Sequence, residues 1–276
     1  MTISARKIVH ACSPMGQEIW CVLTRYPRFI HSEVMTHRVF SRNASSSRAI
    51  PVLRLLKDIL HDPAMPIHWG KNQPGMQAKE ELSPVRKFFA RNLWLAGMYV
   101  MVAIAWLAHM VGAHKQIVNR LVEPWSHINV LITATEWGNF FELRDHPDAQ
   151  PEIRQLAIAI REAFIGSYPE EIGYGEWITP FVDRETDPEL FKEGMLAQRI
   201  ACSVARCART SYMTHEGKKP TIESDLRLYN SLVVAKPMHA SPAEHQATPD
   251  DGKMPHLCGN FDHWQQHRKH LEYSLV

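Results

Sequence analysis

The sequence predicts an α+β fold with an antiparallel or mixed sheet and long helices. Predicted strands and helices mix along the 276 residues without the regular β-α-β order of a doubly wound sheet. The chain contains no internal repeat, no P-loop motif and no G-x-G-x-x-G pattern after a predicted strand. We therefore expect a single domain over residues 1–276 that does not use a dinucleotide-binding or P-loop fold.

The first quarter of the chain predicts two strands and two helices. Ile8–His10 and Ile19–Thr24 have the composition of short strands, and the turn Ser13–Gly16 separates them. Phe29–His37 favours a helix, and Pro51–Leu60 favours another because its Leu and Ile residues recur at helical spacing.

A long uncharged helix is predicted next. Ser83-Pro84 is a favourable helix start after a Pro- and Gly-rich loop over Asp62–Pro84, and the helix should run to about Arg120 with a break near Gly112. Asn92–His114 contains no Asp, Glu, Lys or Arg and is long enough to span a bilayer. Its Ala, Gly, Met and Trp content and the lack of a second such segment favour instead a helix buried at the centre of an oligomer. We expect no membrane association.

The second half of the chain predicts one strand and five helices. Ile128–Thr133 is rich in β-branched residues and favours the strand. The predicted helices are Ala134–Arg144, Ala149–Phe164, a segment from the Asp187-Pro188-Glu189 cap to Arg206, Glu223–Val234 and Asn260–His270.

The composition is that of a soluble globular protein, with 45% hydrophobic and 22% charged residues. A net charge of +2 argues against a nucleic-acid partner bound by a broad basic surface. Five cysteines without C-x-x-C spacing, and an N-terminus without a long apolar core, favour a reduced cytoplasmic protein. The 16 histidines include no H-E-x-x-H and no compact zinc-spaced set, so no metal site is expected.

Residues 36–48 are the most informative segment, because they combine four basic side chains, four serines and one asparagine without an acid. The planar fork of an Arg side chain matches phosphate or carboxylate, and serine hydroxyls and backbone N–H groups can fill the gaps between forks. The segment therefore favours an anion-binding loop, with a solvated basic loop as the alternative.

Other polar positions likewise have both a functional and a structural interpretation. Asn139 and Arg144 fall on one predicted helix, where an amide can hydrogen-bond a heterocycle and Arg can stabilise a developing anion on a base. The alternative is a helix end with a surface Arg. His239–His245 is a polar turn by its composition. Cys202 and Cys207 lie near two arginines that could activate a thiol, although small buried hydrophobes describe them better.

Together these segments resemble the flavin-dependent thymidylate synthases. Their signature R-H-R-x-x-S-x-N-x-x-S-x-R-Y is matched in spacing by His37, Arg38, Ser41, Asn43, Ser46 and Arg48. Residues 139–144 and 149–153 match the N-F-x-x-L-R and A-Q-x-E-I segments of the family. Residues 208–212 and 239–245 resemble its A-R-V-S-[FY] and H-x-[TS]-P-F-E-H segments.

The order of the segments differs from that of the family, in which the last two precede the signature. The sequence is therefore identified as a circularly permuted member in which residues 205–276 correspond to the usual N-terminal part. The usual termini would be joined within about residues 168–194, since permutation is tolerated where termini lie close together at the surface. The resemblance implies the family's fold in permuted form, and residues 60–84 have no counterpart in it.

The resemblance also implies an activity in nucleotide biosynthesis. The chain would be a single catalytic domain, a methyltransferase that converts dUMP to dTMP without a cysteine nucleophile. Methylenetetrahydrofolate would donate the carbon, and FAD reduced by NADPH would supply the hydride. The family works as a homotetramer with active sites at subunit interfaces.

By position, the resemblance assigns ligand contacts to individual residues. The FAD contacts would be Thr36, His37, Arg38, Ala44, Thr133, Thr135, Asn139, Ser211 and Ser241. The dUMP contacts would be Glu33, Ser45, Ser46, Ser47, Arg48, Arg120 and Arg144. Arg144 would be the catalytic residue, because it would stabilise negative charge on the uracil as nitrogen 3 ionises.

Some positions depart from the family. Thr36 replaces the first Arg of R-H-R, Ala44 replaces an acid, Ala49 replaces the closing Tyr, and Asp148 stands where a His is common. Glu33 stands where a Gln meets the nucleotide, and a carboxylate pairs better with an amino group than with a carbonyl. A dCMP substrate and a hydroxymethyl product are therefore kept as alternatives. A non-catalytic anion- or nucleic-acid-binding protein is the alternative from another class.

Overall fold

A five-stranded sheet lies at the centre of the molecule. The computed structural model describes residues 3–210, 220–234 and 237–274. The strands are β1 (Ser4–Cys12), β2 (Glu18–Pro27), β3 (Ser41–Ala44), β4 (His127–Ala134) and β5 (Glu170–Glu171), in the order β3-β4-β2-β1-β5. Neighbours are antiparallel except for β1 and β5, which are parallel. The predicted α+β class with a mixed sheet is confirmed.

The described residues also form α-helices and a second, small sheet. The α-helices of the described residues are α1 (His31–Met35), α2 (Val52–His61), α3 (Pro84–Met110), α4 (Lys115–Val118), α5 (Gly138–Arg144), α6 (Pro151–Phe164), α7 (Leu196–Ala208), α8 (Ile222–Tyr229) and α9 (His267–Tyr273). The second sheet pairs β6 (Ala247–Pro249) with β7 (Trp264–Gln266) in antiparallel register.

Helix α6 covers one face of the main sheet. The stripe of Ile153, Leu156 and Ile160 predicted on this helix is fully buried and forms one core with Val22 of β2 and Ile132 of β4. Because strand residues alternate between faces, their sequence neighbours point the other way. The second face holds Cys21 and Leu131, which form a core with Cys207 of α7. The sheet is therefore packed on both faces.

Helix α3 is shorter than the sequence predicts, and much of its surface is exposed in the single chain. It ends at Met110, and the following Gly112 has φ +86°, so a regular helix cannot continue to Arg120. By length and mean hydropathy (1.7) this helix could cross a membrane, and only 11% of its most apolar window is buried. One side packs on α2 and on the 3-10 turn Asn119–Trp125, while the remaining apolar residues face outward.

Several predicted boundaries are wrong. Ser41–Ala44, predicted as part of a loop, is strand β3. The helix predicted over Asn260–His270 is strand β7 followed by α9. The helix predicted from Asp187 to Arg206 is interrupted at Gly194, whose φ of +79° favours glycine.

The segment predicted as a long loop without structure is an ordered arm (residues 62–83). Its two sides come together in a β-bridge between Gly70 and Glu81. At its base the backbone N–H of Ile67 donates to the buried carboxylate of Glu152 on α6, with a distance of 2.7 Å. The arm is therefore fastened to the helix that follows Arg144.

Candidate functional site

Strand β3 joins segments that are far apart in the sequence. The side-chain amide of Asn43 donates to the carbonyl oxygen of Cys207 (2.7 Å) and to the hydroxyl of Thr210 (2.8 Å). Its oxygen accepts from the hydroxyl of Ser241 at 3.3 Å. Asn43 is 6% exposed, so these bonds satisfy a buried amide and hold the Ser241 turn against the signature strand.

Ser41 makes a second connection of this kind. Its hydroxyl donates to Asn260 Oδ1 (3.1 Å) and accepts from Gln266 Nε2 (2.9 Å). On the neighbouring strand, Thr133 Oγ1 lies 2.8 Å from His245 Nδ1. Residues 241–266 therefore complete the surroundings of β3 and β4, and the predicted segments at 37–48 and 239–245 meet here.

A cluster of predicted site residues forms around Arg144, the last residue of α5. Its Nε donates to His37 Nε2 (2.9 Å), and its Nη2 donates to Thr36 Oγ1 (3.2 Å). The hydroxyl of Thr36 donates in turn to the carbonyl oxygen of Glu33 (2.6 Å). We call these four residues (Glu33, Thr36, His37 and Arg144) the Arg144 cluster.

The imidazole of His37 is held on two sides by aromatic rings. Phe40 stacks on it with a centroid distance of 5.6 Å, and Phe140 meets it edge-on at 5.0 Å. Burial and the nearby charge of Arg144 lower the pKa of His37 to about 4. The ring is therefore neutral at pH 7 and can accept the hydrogen bond from Arg144.

A second cluster forms at the opposite end of β3. The amide of Asn119 donates to the carbonyl oxygen of Ser47 at 2.7 Å, and the hydroxyl of Ser47 donates to Glu123 at 2.6 Å. These bonds place Arg48 beside the turn that carries Arg120. Both guanidinium groups are exposed, and neither has an ion-pair partner within the described part of the chain. We call residues 45–48 with Arg120 the phosphate turn, after the ligand predicted for it.

Three residues that were not among the predicted contacts shape the phosphate turn. Asn119 is 1% exposed and supports its backbone. Lys115 Nζ donates to the carbonyl oxygen of Ala49 (3.2 Å), and Arg28 Nη2 donates to that of Ser45 (3.1 Å). Only the proximity of Asn119 to Arg120 in the sequence could have pointed to one of them.

The other residues predicted to contact a cofactor differ in accessibility. Arg38, Asn139 and Ser241 are exposed, and Ala44 and Thr135 are partly buried. Thr133 is fully buried, and its hydroxyl is bonded to His245. Ser211 lies outside the described residues.

The Arg144 cluster and the phosphate turn are not joined by a hydrogen bond among the described residues. Strand β3 lies between them, and its four residues span about 10 Å at the usual rise per residue. Between α2 and the ends of β2 and β4 there is also a cavity of about 360 Å³, which includes Ser45 and Ala49 in its lining. One chain therefore presents its predicted ligand contacts as two separate groups.

Four of the five cysteine side chains are buried. All five cysteines are free, and burial raises the pKa of Cys21 to about 12 and that of Cys202 to about 11. Burial also raises the pKa of Cys207, so the interpretation of Cys202 and Cys207 as buried hydrophobes fits both thiols. Among residues 3–210, 220–234 and 237–274, no group of three or more His, Cys, Asp or Glu is arranged to hold a metal ion.

Comparison with known proteins relates part of the chain to a family. Residues 125–170 match the model of the family described as thymidylate synthase complementing protein. The curated protein sequences give no significant match.

Two similar solved structures are of a UMP/dUMP methylase, PolB from Streptomyces cacaoi. The form bound with 5-Br dUMP is 16% identical with a TM-score of 0.45, over 54% of this chain and 67% of that chain. The form bound with 5-Br UMP is 15% identical with a TM-score of 0.45, over 59% of this chain and 94% of that chain. At this level the likeness does not extend to individual residues or ligands.

The matched segment contains β4, α5 and α6, and with them Thr135, Asn139 and Arg144. It therefore relates this segment of the chain to the family of the thymidylate synthase complementing protein, in agreement with the resemblance found in the sequence at residues 139–153.

Proposed function

We propose that this protein is a flavin-dependent methyltransferase that converts dUMP to dTMP. The observation that carries the proposal is the Arg144 cluster, in which α5 and the segment around α1 bring a guanidinium, a neutral imidazole and a hydroxyl together, with the hydroxyl held by the backbone carbonyl of Glu33. Arg144 lies within the segment that matches the family. The position is therefore supported both by the family match and by its surroundings.

Arg144 would stabilise the pyrimidine as its carbon 5 becomes nucleophilic. Attack by carbon 5 needs electron density from the ring, and a guanidinium beside an ionised ring nitrogen favours that distribution. The neighbouring His37 is neutral, so it neither repels Arg144 nor competes with it for the anionic base. The Arg144 cluster thus supplies one positive charge at the place where negative charge would develop.

The phosphate turn would bind the other end of the nucleotide. Arg48 and Arg120 offer exposed forks, and the bonds of Asn119 fix the backbone between them. Because the turn and the Arg144 cluster lie at opposite ends of β3, we propose that a complete site combines residues of different subunits. The exposed apolar side of α3 would be buried in the same homotetramer, which we place in the cytoplasm.

The residues present fit FAD by the chemistry of their donors. Arg38 can pair with a phosphate, the amide of Asn139 can bond a flavin edge, and the hydroxyls of Thr135 and Ser241 can add further bonds. When bound, the flavin would pass on the hydride that NADPH provides, and methylenetetrahydrofolate would supply the carbon. The chain's own contribution is to bind, orient and polarise.

A second candidate is a related reaction on dCMP, or one that leaves a hydroxymethyl group. The observation that favours it is Glu33, whose backbone carbonyl is held by Thr36 beside the Arg144 guanidinium. Within the described chain its carboxylate accepts a hydrogen bond from Ser32 (3.2 Å). A carboxylate here can accept from the amino group of cytosine.

One experiment separates these possibilities. The purified protein is loaded with FAD, its absorbance near 450 nm (roughly the usual flavin maximum) is recorded, and the products from dUMP and from dCMP are analysed by mass spectrometry. We expect a flavin spectrum and a gain of one methyl group on dUMP. Arg144→Ala should abolish turnover and keep the flavin, whereas Arg227→Ala, on an exposed part of α8, should change neither. A protein that takes up no flavin would refute the proposal.

A further inference from the structure

Thr36 and His37 each accept a hydrogen bond from the guanidinium of Arg144. We propose that they are positioning residues, which fix the Arg144 guanidinium so that its outer N–H edge faces the pyrimidine base. This inference deepens the proposed function and rests on it. It assigns to two predicted cofactor contacts a different task, the orientation of the residue that polarises the substrate.

The first argument is the count of donors on Arg144. A guanidinium has five N–H groups. One, on Nε, is taken by His37 at 2.9 Å, and one, on Nη2, is taken by Thr36 at 3.2 Å. The three that remain lie on Nη1 and Nη2, and they form a fork that can reach two acceptors at once. A carbonyl oxygen and an adjacent ionised nitrogen on one pyrimidine edge match such a fork.

The second argument is the rigidity of His37. Its ring is 7% exposed and is held between Phe40 and Phe140. Because Nε2 accepts from Arg144, the single proton of the neutral ring is on Nδ1. A ring in a fixed orientation with a fixed tautomer offers its acceptor in one direction only, so Nε of Arg144 is held in one place.

The third argument is specific to the residue at position 36. The Thr36 hydroxyl donates to the carbonyl oxygen of Glu33 at 2.6 Å, and this leaves its oxygen as the acceptor for Arg144. The family signature has an Arg at this position, and a second guanidinium so close to Arg144 would repel it. In this chain the substitution replaces a like charge with an acceptor, and the guanidinium of Arg144 is held from two sides.

The test uses His37→Leu, His37→Gln and Thr36→Val, with His146→Leu as a matched control. Leucine removes the acceptor, and glutamine keeps one. His146 is exposed, and the described polar contacts of its side chain are with Asp148. The direct readout is the Nε–H resonance of Arg144 in ¹⁵N-arginine-labelled protein without ligand, assigned with Arg144→Lys. We expect a slowly exchanging signal in the parent protein, in His37→Gln and in the control, and its loss in His37→Leu.

Binding measurements complete the test. We expect the affinity for dUMP to fall about tenfold in His37→Leu and in Thr36→Val, as for the loss of one charge-assisted bond, with FAD affinity nearly unchanged. His37→Gln should recover most of the loss. An unchanged Nε–H signal in His37→Leu, or a loss of FAD affinity in place of dUMP affinity, would overturn the inference. If the parent protein binds neither ligand while the Nε–H signal responds, the proposed function fails and the pairing around Arg144 stands.

Discussion

The Nδ1 atom of His245 and the hydroxyl of Thr133 lie 2.8 Å apart in the protein interior, although 112 positions separate the two residues in the sequence. Both side chains are fully buried. Burial lowers the pKa of His245 to about 3, so the ring is neutral. The contact ties the turn after Ser241 to strand β4, and its role is structural.

Thr133→Val should therefore destabilise the fold and leave FAD binding intact. The substitution keeps the shape but leaves a ring nitrogen buried without its partner, which costs about 1–3 kcal/mol. The midpoint of urea unfolding should fall accordingly, and flavin titration should give the affinity of the parent protein. Ser231→Ala, which removes an exposed hydroxyl bonded within its own turn, should change stability by less than about 0.5 kcal/mol. An equal effect of both variants would contradict this account.

Mild acid should destabilise the protein through buried histidines. The pKa is lowered to about 4 for His37, His127 and His267, and to about 3 for His245, with burial as the main cause in each. The unfolded chain takes up these protons near pH 6.5, before the native state does, so stability is greatest above that pH. The free energy of unfolding should fall as the pH drops from 6.5 to about 4, where the protonation of carboxylates begins to contribute.

Urea unfolding at pH 7, 6, 5 and 4.5 measures this effect. Each histidine that stays neutral in the native state adds up to about 1.4 kcal/mol per pH unit to the slope. His127→Gln should reduce the slope by removing one such group, and His146→Gln, at an exposed position, should leave it unchanged. A midpoint that is constant from pH 7 to pH 5 would show that the histidines are not buried in neutral form.

The buried ion network between α7 and α8 should be essential for folding. Arg206 pairs with Asp187 at 2.7 Å and with Asp225 at 2.9 Å, and Asp225 is fully buried. Arg206→Met leaves two carboxylates without this cation, and breaking a buried pair in this way costs about 3–5 kcal/mol. Thermal unfolding should show a large loss, while Arg227→Met, at an exposed pair with Glu223, should change the Tm little.

The exposed side of α3 should be a subunit interface. Leu93 is 71% exposed, and it belongs to a row of outward apolar side chains on a 27-residue helix. Leu93→Lys should dissociate the oligomer, because a charge would have to be buried without a partner. Light scattering should give four times 31.7 kDa for the parent protein and a smaller mass for the variant. Ile165→Lys, at an apolar residue outside α3 that is 74% exposed, is the control. A parent protein that is monomeric, or that needs detergent to remain in solution, would contradict this prediction.

The parts of the fold with regular apolar spacing could be predicted from the sequence. Strands β2 and β4 and helices α2 and α6 lie close to their predicted positions, because their buried residues recur with the period of the element. Strand β3 could not be predicted, because its sequence Ser-Arg-Asn-Ala contains no apolar pattern. It is a strand because β4 pairs with its backbone and buried polar side chains bond to Ser41 and Asn43.

The sequence could suggest candidate site residues, but it could not show how they are arranged. The resemblance selected His37 and Arg144, but their direct hydrogen bond joins residues 107 positions apart, and sequence spacing carries no information on such a contact. Strand β7 was also missed by the sequence prediction. Its residues fit a helix by composition, and pairing with Ala247–Pro249 overrides that local preference.

The polar bonds around β3 have a consequence for the order in which the protein can assemble. Ser41 and Asn43 leave the ribosome early, but their partners include Ser241, Asn260 and Gln266, about 200 residues later. Until those residues have been synthesised, buried hydrogen-bonding groups on β3 lack their partners. During synthesis strand β3 therefore lacks these partners until the C-terminal part of the chain has been made, and a nascent chain stopped before Ser241 would contain this strand without them.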